Sequence, residues 1–181
     1  TDLYPTDLEK AKALLAEAGY PDGFSFTITV PSNYRQHVDT AQVVADRLKD
    51  INVTANINLV DWDTWLSETY VGRNYEATVI GVDAPQLTAS AFLDRFVSDA
   101  GDNFINFNNA AYDAAFERAM STTDDAIRTE AFRECEKILA EEAANVYIQD
   151  LPEFVALNKK FEGYRFYPVY VLDVSTISPA Q

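Results

Sequence analysis

Residues 24–59 read FSFTITVPSNYRQHVDTAQVVADRLKDINVTANINL. Phe24, Phe26, Ile28 and Val30 alternate with small polar residues, which predicts a strand over 24–30 with those four side chains on one face. Val38, Ala41, Val44, Ala45 and Leu48 recur at helical spacing and predict a helix over about 35–50. Val53, Ala55, Ile57 and Leu59 alternate again and predict a second strand. Two strands separated by a helix pair parallel, because the crossover returns the chain to the same end of the sheet. This β-α-β unit sets the expected fold class as α/β.

Working outward, Asp61 stands where it caps a short helix carrying Trp62, Trp65 and Leu66. Residues 75–81 (YEATVIG) predict a third strand. Upstream, Thr6-Asp7-Leu8-Glu9 has the spacing of a capping box, with Thr6 as the cap. A helix over about 7–18 follows, stopped by Gly19 and Pro21. Downstream, a short helix near 90–97 and an extended piece at Phe104–Phe107 are expected. Asn109 caps a helix to about Met120. Thr122 or Thr123 caps a longer one to about Ala143. Asn145–Gln149 and Phe154–Leu157 read as strands around an Asp150-Leu151-Pro152 turn, before an extended aromatic tail. The sequence has no internal repeat and no Gly/Ser linker, so the expectation is a single α/β domain over residues 1–181.

The 14 Lys+Arg against 29 Asp+Glu give a net charge of −15. That balance speaks against nucleic acid and against an anionic membrane surface, since both require clustered cations. One Cys and one His exclude an internal disulfide, CxxC metal sites and HExxH zinc sites. No metal site and no cofactor are expected. No apolar run reaches the ~18 residues of a membrane span. No signal-peptide pattern is present, which leaves a cytoplasmic protein or a piece of a longer one as the readings.

Open α/β sheets bind ligands beyond the carboxyl ends of their parallel strands. Here those ends hold Asn33 and Tyr34, then Asp61 and Trp62, then Gly81 to Pro85. They carry aromatics, an amide and carboxylates, but no nucleophile and no phosphate loop, which suits binding better than catalysis. Trp62 and Trp65 either pack in the core or line a cleft with one flat face. Asp83 either meets a ligand or closes an Asx-turn. Asp61 and Asp83 as a glycosidase pair carry little weight among 29 acidic residues. His37 reads as a surface residue and Cys135 as a buried, inert thiol.

Several stretches, in order, resemble the second lobe of the extracellular solute-binding proteins of family 5, the binding proteins of peptide and nickel ATP-binding-cassette importers. They are Asp7–Gly23 (DLEKAKALLAEAGYPDG), Val43–Asn56, Asp61-Trp62-Asp63-Thr64-Trp65-Leu66 and Tyr75–Gly81. Phe92–Phe96, Asn108–Asp113, Thr122–Ala144, Asn145–Leu157, Gly163-Tyr164, Tyr167-Pro168 and Tyr170–Asp173 continue the series. The resemblance implies a periplasmic-binding-protein-like lobe with a mixed, mostly parallel sheet flanked by helices. It implies the C-terminal ligand-binding lobe of a longer two-lobed receptor, without enzyme activity, free in a periplasm or held outside the cytoplasmic membrane as a lipoprotein. Its partners would be a small-molecule or peptide ligand, the permease subunits and the missing N-terminal lobe.

In that family the loop after the Tyr75–Gly81 strand often reads Gly-Trp-x-x-Asp, with the Asp pairing to a peptide's amino terminus. Here Val82 stands at the Trp and Pro85 at the Asp, and Asp83 lies two positions early. Peptide is the first expected ligand class. Oligosaccharides or metal chelates are the alternatives, and a sensor that kept the fold without transport is a further one. Trp62 is the leading cleft residue. Asp83, Val82, Pro85, Asn33, Tyr34 and Tyr70 are the further candidates.

Overall fold

The structure is a computed structural model and describes residues 4–82, 86, 88–150, 154–167 and 171–180. The chain divides into two compact units, one of residues 1–82 with 101–107 and one of residues 83–100 with 108–181.

The first unit opens with α1 (Leu8–Glu17), capped by Asp7, whose side chain accepts from Lys10 N. The sequence points to Thr6 as the cap. The carboxylate one residue later takes the role, bringing a full charge to the positive end of the helix dipole. β1 (Ser25–Pro31), α2 (Arg35–Leu48) and β2 (Thr54–Val60) follow, then a single turn, α3 (Trp62–Thr64). β1 pairs parallel to β2 over its whole length, from Ser25 opposite Thr54 to Pro31 opposite Val60. β3 (Ala77–Thr78) pairs parallel on the other side, giving the order β2-β1-β3.

As the central strand, β1 supplies the core. Ile28, Val30 and Ala41 of α2 are buried, with Phe26, Val38, Val44, Ala55, Ile57, Ala77 and Val79 packed around them. At ~1.5–3 kcal/mol for each large side chain removed from water, this face gives the unit most of its stability. Phe24, expected on the same face, precedes the ladder and stays 40% exposed, its ring against those of Tyr20 and Phe26. Gly23 has φ +79, and a methyl group there would stand 1.9 Å from the Asn52 carbonyl oxygen. The entrances to β1 and β2 therefore touch backbone to backbone.

The third strand is much shorter than its alternation predicts. Glu76 Oε2 accepts from Thr27 N at 2.7 Å, and the Thr78 hydroxyl donates to the Thr29 carbonyl at 2.7 Å. Side chains thus occupy β1 groups that a longer β3 would have paired. The extended piece expected at 104–107 is a turn. Asn103 donates to the Phe107 carbonyl and accepts from Phe107 N, so one amide side chain stands in for a neighbouring strand.

The second unit holds α4 (Ala89–Leu93), α5 (Ala110–Met120) and α6 (Asp125–Glu141). Asn109 caps α5 through the amides of Ala111 and Tyr112. Asp124, rather than Thr122 or Thr123, caps α6. Thr122 instead accepts from Asp124 N. α5 and α6 pack through Ala115, Ala119, Ala131, Cys135 and Leu139, all buried. Small residues on both helices permit that close approach. Buried Tyr112 donates to the Leu93 carbonyl at 2.6 Å, tying α4 to α5. Burial pushes the Cys135 thiol up to about 11, as its apolar spacing predicts.

Residues 145–149 and 154–157, expected as strands, form none among the described residues. The only later ladder there is β4 (Phe161–Glu162) against β5 (Ser178–Pro179), antiparallel. Among the described residues no helix is long and apolar enough to cross a membrane.

Candidate functional site

The carboxyl ends of β1 and β2 carry an aromatic stack. Asp61 accepts from Thr64 N at 2.9 Å and from the Thr64 hydroxyl at 2.8 Å. Those hydrogen bonds, the backbone one first, hold its carboxyl below the usual carboxylate range. Asp61 is thus a helix cap, as its position predicts. It starts α3, which passes directly into a π-helical segment, Trp65–Val71. Nothing in the local sequence signals the wider π turn. Such turns recur at functional sites because they shift side chains off the ordinary helical register.

Trp62 is half-buried and stacks on Trp65, with ring centroids 5.2 Å apart and planes 14° from parallel. Tyr34, from the loop after β1, meets Trp62 edge-on at 5.5 Å. Trp65 is 3% exposed. Its Nε1–H donates to the Thr78 hydroxyl at 3.0 Å, and that hydroxyl donates onward to Thr29. Tyr70 stacks behind Trp65 at 6.0 Å, and Phe104 packs on both. The two readings left open for the tryptophans are divided between them: Trp65 is core, and Trp62 is a half-exposed ring laid upon it.

Of the sequence candidates, Tyr34, Trp62 and Tyr70 belong to this one stack. Tyr70 lies in its supporting layer. Asn33 is exposed beside Tyr34, and Val82 is exposed just beyond β3. Asp83 and Pro85 lie outside the described residues.

His37 corrects the sequence expectation. It is buried, with 9% of its surface exposed. Its ring lies 5.2 Å from that of Tyr34, and a methyl group on Gly81 would stand 3.4 Å from its Nε2. It therefore sits beneath the exits of both β1 and β3. Nδ1 has no hydrogen-bond partner, and burial lowers its pKa. Sequence reading also missed Thr78 and Phe104. The signal for Thr78 was its place in YEATVIG, on the face opposite Ala77 and Val79. Among the described residues, no group of three or more His, Cys, Asp or Glu side chains is placed to hold a metal ion.

Residues 1–104 match the family described as bacterial extracellular solute-binding proteins, family 5 middle. The chain is 27% identical over 169 residues to heme-binding protein A of Haemophilus influenzae, covering 89% of this chain and 30% of that protein. It is 29% identical over 140 residues to the periplasmic oligopeptide-binding protein OppA of Escherichia coli, covering 76% of this chain and 26% of OppA. Among solved structures, the periplasmic binding protein DppA from Helicobacter pylori, in complex with the peptide STSA, superposes with a TM-score of 0.70 at 26% identity. That superposition covers 78% of this chain and 28% of DppA. The chain thus spans under a third of the length of each of these relatives.

Proposed function

Since the chain belongs to the bacterial extracellular solute-binding proteins of family 5, we propose that its 181 residues are the C-terminal ligand-binding lobe of a longer two-lobed receptor. The receptor works outside the cytoplasmic membrane, captures a solute between its lobes and delivers it unchanged to the permease of an ATP-binding-cassette importer. The observation that carries this reading is the Trp62–Trp65 stack at the strand ends. A buried, hydrogen-bonded tryptophan fixes the ring above it, so Trp62 presents a pre-set apolar surface where parallel sheets receive ligands. Contacts made only when a second lobe closes on that surface shift the open–closed equilibrium toward the bound form.

Peptide is the first ligand class, supported by relatives named for oligopeptide binding. Trp62 and Tyr34 offer flat faces to side chains, with Asn33 and Val82 at the margin. Asp83 is the proposed carboxylate for a peptide amine, because Pro85 supplies none. The second reading is an oligosaccharide, favoured by one observation: the rings of Tyr34 and Trp62 meet at the strand ends, with the exposed Asn33 amide next to Tyr34 in the chain. Such surfaces suit a sugar face.

The test begins with native mass spectrometry of the full-length protein from its own host. A ladder of peptide masses supports the first reading, and hexose spacing supports the second. Trp62→Ala in that protein then removes an aromatic contact worth about 1–2 kcal/mol, so the identified ligand should bind roughly 5- to 30-fold more weakly. Unchanged affinity removes Trp62 from the site.

A further inference from the structure

His37, buried beneath the strand ends, has no part in the ligand surface as described so far. Its Nδ1 has no hydrogen-bond partner among the described residues. A neutral imidazole tolerates that position. A proton makes both ring nitrogens donors, and Nδ1–H becomes a buried donor of a full charge with nothing to accept it. The titratable groups around the ring do not offset this cost. On α2, Arg35 and Asp39 pair with each other at 3.5 Å, both exposed. Asp61, ahead of α3, is taken by Thr64, and Glu76, ahead of β3, by Thr27 N. Tyr34 presents its ring and Gly81 has no side chain. Burial is accordingly the one cause that lowers the pKa of His37.

Tyr34 joins this residue to the ligand surface. Its ring lies 5.2 Å from the imidazole and meets Trp62 edge-on at 5.5 Å. It stands at the N-cap of α2 without a side-chain hydrogen bond to the helix. Ring contacts therefore set where it points.

We propose that His37 is a positioning residue of the ligand surface: neutral, it holds Tyr34 edge-on to Trp62, and on taking a proton it displaces Tyr34. This rests on the reading of the strand ends as a receptor's ligand surface, and it adds the regulation of that surface by acid. Turning Tyr34 aside is the move that admits water to the charged ring. A solute seated on Tyr34 and Trp62 and a proton on His37 then oppose each other, each weakening the other by linkage. Acid therefore weakens solute capture.

The experiment places a para-fluorinated phenylalanine, a ring without a titratable hydroxyl, at position 34 of the full-length protein. Its fluorine resonance is followed from about pH 8 to about pH 4.5. One transition is expected, with its midpoint below ~6.5 and the helical circular dichroism unchanged. His37→Phe keeps a ring against position 34 and takes no proton, so it should abolish the transition. His37→Gln serves the same purpose if the phenylalanine variant does not fold. Conversely, Tyr34→Ala opens His37 to water and should move its imidazole midpoint, read by NMR, up toward ~6.5. A fluorine resonance that stays flat overturns the proposal. So does a transition that persists without His37, or one that comes only with loss of the helical signal, which is unfolding. An imidazole midpoint untouched by Tyr34→Ala overturns it as well. These readouts need no solute. The ligand test at Trp62 reads the receptor function separately, so the two can fail independently.

Discussion

Replacing Thr78 by valine keeps the shape of the side chain and deletes one oxygen. That oxygen accepts from Trp65 Nε1 at 3.0 Å and donates to the Thr29 carbonyl at 2.7 Å. Trp65 is 3% exposed and Thr29 is 9% exposed, so water does not readily replace either bond. An indole N–H left unpaired in such a place costs about 1–3 kcal/mol, and the lost bond to Thr29 adds about 0.5–1.5 kcal/mol. The expected loss is therefore about 1.5–4.5 kcal/mol, or a urea midpoint lowered by about 0.8–2.2 M at a slope of ~2 kcal/mol per M. The assay is urea denaturation followed by tryptophan fluorescence. The chain has only two tryptophans, both in this stack, so the emission reports the first unit alone. Thr78→Ser keeps the oxygen and should stay within about 1 kcal/mol of the parent. If the valine variant matches the serine variant to within about 0.5 kcal/mol, the Thr78 bridge does not hold Trp65. Trp62 then does not lie on a fixed platform.

Three further outcomes follow from the same geometry. Burial lowers the pKa of His37, so below ~6.5 the unfolded chain binds a proton that the folded one refuses. Stability should fall as pH drops through that range, and His37→Gln should flatten this part of the pH profile of the urea midpoint. Gly23→Ala forces a side chain onto φ +79 and to within 1.9 Å of the Asn52 oxygen. It should cost at least about 2 kcal/mol, read as a lowered melting temperature, whereas Gly19→Ala, with open space around it, should cost clearly less. The Cys135 thiol, fully buried and raised to about 11, should be inert to a thiol reagent at neutral pH and react only on unfolding.

The parallel β1–α2–β2 unit was legible because both of its periods are local. Two-residue alternation and 3.6-residue recurrence each report which side of a segment faces the core, and the core lies on that side. Asp61 and Asn109 were legible as caps because a helix start needs an acceptor within three residues of chain. Family resemblance added the expectation of a receptor lobe and of its ligand classes. The lengths of β3 and of the 104–107 segment were not legible. They were decided by Glu76, Thr78 and Asn103, whose side chains compete for backbone groups from elsewhere in the fold or across a turn.

What the sequence by itself determined is the β-α-β order of the first unit and the helix caps at Asp61 and Asn109. What only the tertiary structure decided is the division of labour within the candidate site. Trp62 and Trp65 are indistinguishable by type and spacing, yet one is a buried pillar and the other the half-exposed ring upon it. His37, polar and close to Arg35 and Gln36, lies buried because the exits of β1 and β3 converge over it. Alternation and spacing record what each residue's own segment requires. Which ring is covered depends on groups brought from distant parts of the chain, Thr29, Thr78 and Phe104 against Trp65, and no local pattern encodes that meeting.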